Sequence, residues 1–98
     1  MRTEYGKIND ATLTEELALY GMCTGTLIVE RGGILHLYGM CTGPLYIKTG
    51  GVAYIHGTCS HGVTNTGGRV EVFGTISGGL NQAGGVTKVD PKAVVNNN

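Results

Sequence analysis

Charge of either sign in excess is the first thing missing from this chain. Seven lysines and arginines cancel seven aspartates and glutamates over 98 residues. With no net field there is nothing to steer nucleic acid, an anionic membrane or an acidic substrate to the surface, and none is expected as a partner. Long apolar runs are absent too; none approaches the roughly 20 residues of a membrane-spanning helix. The opening stretch, MRTEYGKINDATLTEELALYG, has no apolar core of the kind a secretory signal needs, so a cytoplasmic address is the default expectation. Proline is scarce, two residues against 18 glycines, and the glycines do not recur at every third position, which excludes collagen. Phosphate loop, dinucleotide fingerprint and nucleophile elbow are all lacking. So is any Cys-x-x-Cys pair. No cofactor, no metal and no catalytic residue is expected.

What is present is repetition. Residues 19–25 and 37–43 both read LYGMCTG, 18 positions apart, and the frame returns as IHGTCSHGV from Ile55 and as VFGTISGGL from Val72. A glycine column follows, Gly21, Gly39, Gly57 and Gly74, at steps of 18, 18 and 17. Gly-Gly pairs close each copy, at 32–33, 50–51, 67–68 and 84–85. A short, regular period of this kind is the signature of a solenoid.

Within each copy the apolar residues alternate. Leu35/Leu37, Ala53/Ile55, Val70/Val72 and Thr87/Val89 form one set; Cys23, Cys41, Cys59 and Ile76 a second; Leu27, Leu45, Val63 and Leu80, followed by Val29 and Ile47, a third. Period-two alternation in three short segments per copy predicts three strands with one side inward. The expected fold is all-β, a single-domain parallel β-helix of four to five triangular coils with 17–18 residues each, spanning 17–89. The apolar positions also fall six apart from Leu17 to Cys59, as in left-handed hexapeptide helices. The 17-residue copies break that register and the Gly-Gly corners single out one side, so a right-handed coil is favoured. Residues 1–16 are expected to be an irregular segment or a shortened first coil; a helix capped at Asn9 or Asp10, with Thr12 and Glu15 as its capping box, is the competing reading. Residues 90–98 are expected to cap the end, opened by Asp90-Pro91, and to trail into a disordered Asn96-Asn97-Asn98.

The stretch Leu37-x-Gly-x-Cys-x-Gly-x-Leu-x-Ile47, with its glycine-rich corner, resembles the coil of bactofilins and related small bacterial β-helical proteins. The resemblance covers 17–89. It implies a polymer-forming scaffold that associates through the ends of its helix and binds no nucleotide.

Outward positions point the same way. Tyr20, Tyr38 and Phe73, Met22 and Met40, Ile28 and Tyr46, Ile34 and Val52 are apolar where a solenoid should be polar, which marks an interaction face. The expected function is a non-enzymatic structural or interaction module, self-associating through β-helix faces or ends into a homo-oligomer, a dimer first of all. The alternative is a small enzyme working at a subunit interface, of the hexapeptide acyltransferase or carbohydrate-active kind. For that, the outward column His36, Tyr54, Glu71 and Lys88 offers acid–base groups, and His36, His56 or His61 a base; the bland reading is a solvated face. The three cysteines read as buried thiols acting as small hydrophobes. A hydroxyl column, Thr24, Thr42, Ser60 and Ser77, is weighed as polar filler beside the turns.

Overall fold

A computed structural model describes residues 2–96. Among them the chain forms fifteen strands and no helix, wound into a parallel β-solenoid of about five turns. The first coil holds β1 (Arg2–Glu4), β2 (Lys7–Ile8) and β3 (Ala11–Leu13), and the second β4 (Glu16–Leu19), β5 (Met22–Cys23) and β6 (Leu27–Val29). The third holds β7 (Ile34–Leu37), β8 (Met40–Cys41) and β9 (Leu45–Ile47). β10 (Val52–Ile55) and β11 (Thr58–Cys59) open the fourth coil, which β12 (Val63–Val72) closes before running on into the fifth. β13 (Thr75–Ile76), β14 (Leu80–Val89) and β15 (Val94–Val95) complete the chain.

Each strand pairs in parallel with its counterpart one coil away, which builds three faces. β1, β4, β7, β10 and the second halves of β12 and β14 stack on the first face. β2, β5, β8, β11, β13 and β15 make the second. β3, β6, β9 and the first halves of β12 and β14 make the third. The alternation explains the burial. In β7, Leu35 and Leu37 are buried while Ile34 and His36 stand half-exposed outside. Register then sets like over like: Leu17, Leu35, Ala53 and Val70 in one inward column, Leu19, Leu37, Ile55 and Val72 in the next. The second face contributes Ile8, Cys23, Cys41, Cys59, Ile76 and Val95. At about 1.5–3 kcal/mol per fully buried aliphatic side chain, these columns are the main stabilising term.

The coils differ in length. Arg2 pairs with Leu17, Lys7 with Met22 and Ala11 with Leu27, so the first coil takes 15 or 16 residues; Leu17 to Leu35 takes 18 and Val52 to Arg69 takes 17. At the far end the Asn96 N–H donates to the Ile76 carbonyl at 2.7 Å, continuing the layer that β15 begins. Asn97 and Asn98, the rest of the expected disordered run, lie outside the described residues.

The change from 18 to 17 has a visible cause. In the 18-residue coils the corner after the third face is a four-residue turn: Gly33 donates to the Glu30 carbonyl at 2.8 Å and Gly51 to the Lys48 carbonyl at 2.9 Å. Gly32 and Gly50 sit at the third position of those turns with φ of 84° and 83°, which L side chains adopt at a cost. One residue is missing from the next corner, and the Asn65 side chain replaces it. Its Oδ1 accepts the Gly68 N–H at 2.8 Å and the Gly67 N–H at 3.2 Å, and its Nδ2 donates to the Gly68 carbonyl at 3.1 Å and the Val86 carbonyl at 3.0 Å. Asn65 is wholly buried in the column that Ile47 occupies one coil below. Gln82 repeats the device, donating to the Gly85 carbonyl at 3.1 Å.

Candidate functional site

The corner between the first and second faces carries the most distinctive surface. Here the chain must bend sharply after each first-face strand, and two consecutive N–H groups share one carbonyl of the coil below. Tyr38 and Gly39 both donate to Leu19, at 2.9 and 3.0 Å; His56 and Gly57 both donate to Leu37, at 2.8 and 2.8 Å. The glycine is forced by this closeness: a Cβ at Gly39 would fall on the Gly21 carbonyl oxygen. The residue before it projects outward and stacks. Tyr5, Tyr20, Tyr38, His56 and Phe73 form one ladder with ring centroids 5.1, 4.8, 4.9 and 4.9 Å apart and ring planes within 15° of parallel. Offset or stacked aromatic pairs contribute about 0.5–1.5 kcal/mol each beyond the area they bury.

The ladder is only half covered. Tyr5 is 75% exposed, Tyr20 47%, Tyr38 45% and Phe73 42%. Across the glycine floor Met22 and Met40 are register partners and also exposed. Tyr5, Lys7, Met22 and Met40 thus line a mainly apolar groove of about 480 Å³.

Of the nine residues expected on an interaction face, the fold brings five together at this corner: Tyr20, Met22, Tyr38, Met40 and Phe73. Ile34 and Val52 are register partners on the first face, and Ile28 and Tyr46 on the third. These four are only partly exposed, so they do not extend the corner into one patch.

The acid–base candidates do form a column, His36 against Tyr54 against Glu71 against Lys88. His36 stacks on Tyr54 at 5.2 Å. Yet its Nε2 is held 2.7 Å from Glu16 Oε2, and Glu71 Oε2 lies 3.2 Å from Arg69 Nη2, so both groups face partners rather than open space. His56 belongs to the aromatic ladder, and His61 lines a separate cavity of about 410 Å³ beside Tyr46 and Asn81. The three histidines therefore occupy three places. Thr42 and Ser60 donate their hydroxyls to the Cys23 and Cys41 carbonyls of the coil below, at 3.3 and 3.0 Å, and Thr24 donates to Asn9 Oδ1 at 2.8 Å. That column stitches coils together.

Cys23, Cys41 and Cys59 are free thiols stacked in one inward column with no exposed surface. Burial pushes the Cys23 thiol above its ordinary pKa. A hydrogen bond with Cys59, reinforced by burial, does the same for Cys41. Neutral thiols in an apolar column are poor nucleophiles and poor ligands. Among the described residues no three His, Cys, Asp or Glu side chains converge on a metal-sized site, and no helix is long and apolar enough to cross a membrane.

The two residues the sequence did not flag, Asn65 and Glu16, each had a signal. Asn65 interrupts a column of Val29 and Ile47, and Glu16 stands two residues before the position that Ala18 shares with His36. No protein-family model, curated protein or solved structure compared with the chain matches it.

Proposed function

We propose that this chain is a non-enzymatic structural or interaction module that self-associates, with a dimer as its first species. The observation carrying this reading is apolar surface left uncovered on a small solenoid: the ladder and methionines at the corner, and Val86, Val89 and Val94 at the C-terminal end. Contiguous exposed apolar groups of this kind mark contact sites. The acid–base column, by contrast, has His36 and Glu71 held by Glu16 and Arg69, and the three histidines lie in three separate places. The coil's resemblance to bactofilins, which implies a polymer-forming scaffold, supports the same reading. Light scattering over a wide concentration range tests it. A mass that rises from one chain toward two supports self-association, and a single-chain mass at every concentration overturns it.

A further inference from the structure

Self-association, the reading on which any choice of contact rests, has two surfaces open to it, and they differ in what each still lacks. At the corner the rings cover one another through five coils, and the three inner ones, Tyr20, Tyr38 and His56, are stacked on both faces and turn only their edges to water. At the C-terminal end a backbone ladder is open. Among the described residues β14 pairs with β12 alone, so the N–H and C=O groups of residues 86–89 that point away from β12 have no strand to meet. An unpaired edge is a template for another strand. Val86 and Val89 belong to this edge at 56% and 47% exposure, and Ala93 and Val95 of the same last coil pack against the core. Lys88 is the one charge within 86–89, on the outward side opposite Glu71.

The N-terminal coil is built the other way. Arg2 stands in the column of Leu17 and Glu4 in that of Leu19, both inward columns. A strand laid on β1 must desolvate a guanidinium and a carboxylate over the core, and inward charges of this kind block edges. Head-to-tail stacking would set Thr87 and Val89 of one copy against Arg2 and Glu4 of the next. Tail-to-tail stacking sets Thr87 and Val89 of one copy against Thr87 and Val89 of the other, with no charge over the core.

We infer that two copies join through their C-terminal coils, their 86–89 edges pairing antiparallel about a two-fold axis across the solenoid, and that the charged N-terminal coils leave this dimer closed. Such an isologous contact satisfies the open ladder on both copies at once. Its size is bounded by the fold. Six strand layers at about 4.8 Å account for the 27 Å long axis, leaving a cross-section of 23 × 20 Å. A backbone cross-section of roughly 450 Å² per copy falls short of the ~800 Å² of a standard interface. The dimer is therefore a concentration-dependent one.

Sedimentation velocity on the full chain, with amide hydrogen exchange at low and high concentration, tests this. Monomer should give way to dimer and to nothing larger, with exchange at residues 86–89 slowing as the dimer fills. Val89→Lys and Val86→Lys should each weaken association about tenfold or more, while Tyr38→Ser leaves it unchanged. Should one lysine variant unfold, the other and the exchange data still decide. Dispersal by Tyr38→Ser with both lysine variants still associating overturns the end contact and moves it to the corner, leaving self-association standing. Growth beyond a dimer overturns the closed end. A monomer throughout removes both readings.

Discussion

Consider Gly39→Ala beside Gly6→Ala. Both glycines occupy the sharp corner, and neither has a positive φ, so backbone strain does not separate them. What separates them is the coil below. A methyl at Gly39 falls on the Gly21 carbonyl oxygen and comes within 2.7 Å of the Tyr20 oxygen, both backbone atoms. To admit it the two coils must part locally. That lengthens the bonds from Tyr38 and Gly39 to Leu19 and from Met40 to Gly21, now 2.9, 3.0 and 3.1 Å. Overpacking costs about 1–3 kcal/mol, and two or three weakened ladder bonds add about 1 kcal/mol each. The expected loss is about 3–6 kcal/mol, a large share of the roughly 5–15 kcal/mol that keeps a domain folded. At Gly6 the nearest heavy atom to a built methyl is Glu4 Oε2 at 3.8 Å, an ordinary contact. Alanine there should be neutral, or stabilising by about 0.4–1 kcal/mol through the unfolded chain. Thermal melting followed by circular dichroism reads the difference directly, since 1 kcal/mol shifts a domain of this size by about 4–8 °C. Gly39→Ala should melt at least about 12 °C below Gly6→Ala by that conversion. Coincident midpoints would refute the claim that backbone contact between coils is what requires the glycine.

Asn65→Leu should cost about 3 kcal/mol in urea unfolding, because it strands the Gly67 and Gly68 N–H groups inside the corner; a loss under about 1 kcal/mol would mean water replaces the side chain. Tyr38→Ser removes two stacked contacts, to Tyr20 and His56, and should lower stability by about 1–3 kcal/mol without altering the sedimenting mass. Glu16→Gln touches only a half-exposed pair, so its effect should stay within about 1 kcal/mol and shrink further in high salt. The buried cysteines give a pH prediction of definite sign. Cys23 and Cys41 resist ionisation in the fold, so above their ordinary value of 9.0 the unfolded chain loses protons that the folded one keeps. Stability should fall as pH rises through that range, and replacing both by valine should flatten the fall; an unchanged slope would place the titration elsewhere.

Much of the fold was legible because a solenoid writes its contacts into its columns. The step of 18 between Cys23 and Cys41 already names register partners, and the alternation around Leu35 and Leu37 already names the inward side. The first coil was harder. With 15 or 16 residues it drops out of the period, so Lys7 and Ile8 show no copy in the sequence although they pair with Met22 and Cys23. The 17-residue step was visible, but not what filled the gap. An asparagine in an aliphatic column is a rule broken locally, and only the shortened turn beside it shows why the exception is stable.

The candidate surface was half legible, for a related reason. Columns show which side a residue faces, and they found Tyr20, Tyr38, Met22, Met40 and Phe73 together. They also gathered Ile28, Tyr46, Ile34 and Val52, since alternation tells outward from inward and cannot tell one outward face from another. Openness is set by what lies beyond the first and last copies, and there the same columns change character. The position held by Leu17 and Leu35 becomes Arg2 at one end and Thr87 at the other; that of Leu19 and Leu37 becomes Glu4 and Val89. Charge at one end and apolar groups at the other make the two edges unequal, although every coil between them is built alike. An array of near-identical coils with matched ends would add copies without limit. On the tail-to-tail contact inferred above, these unequal ends would turn the same repeat into a dimer that stops.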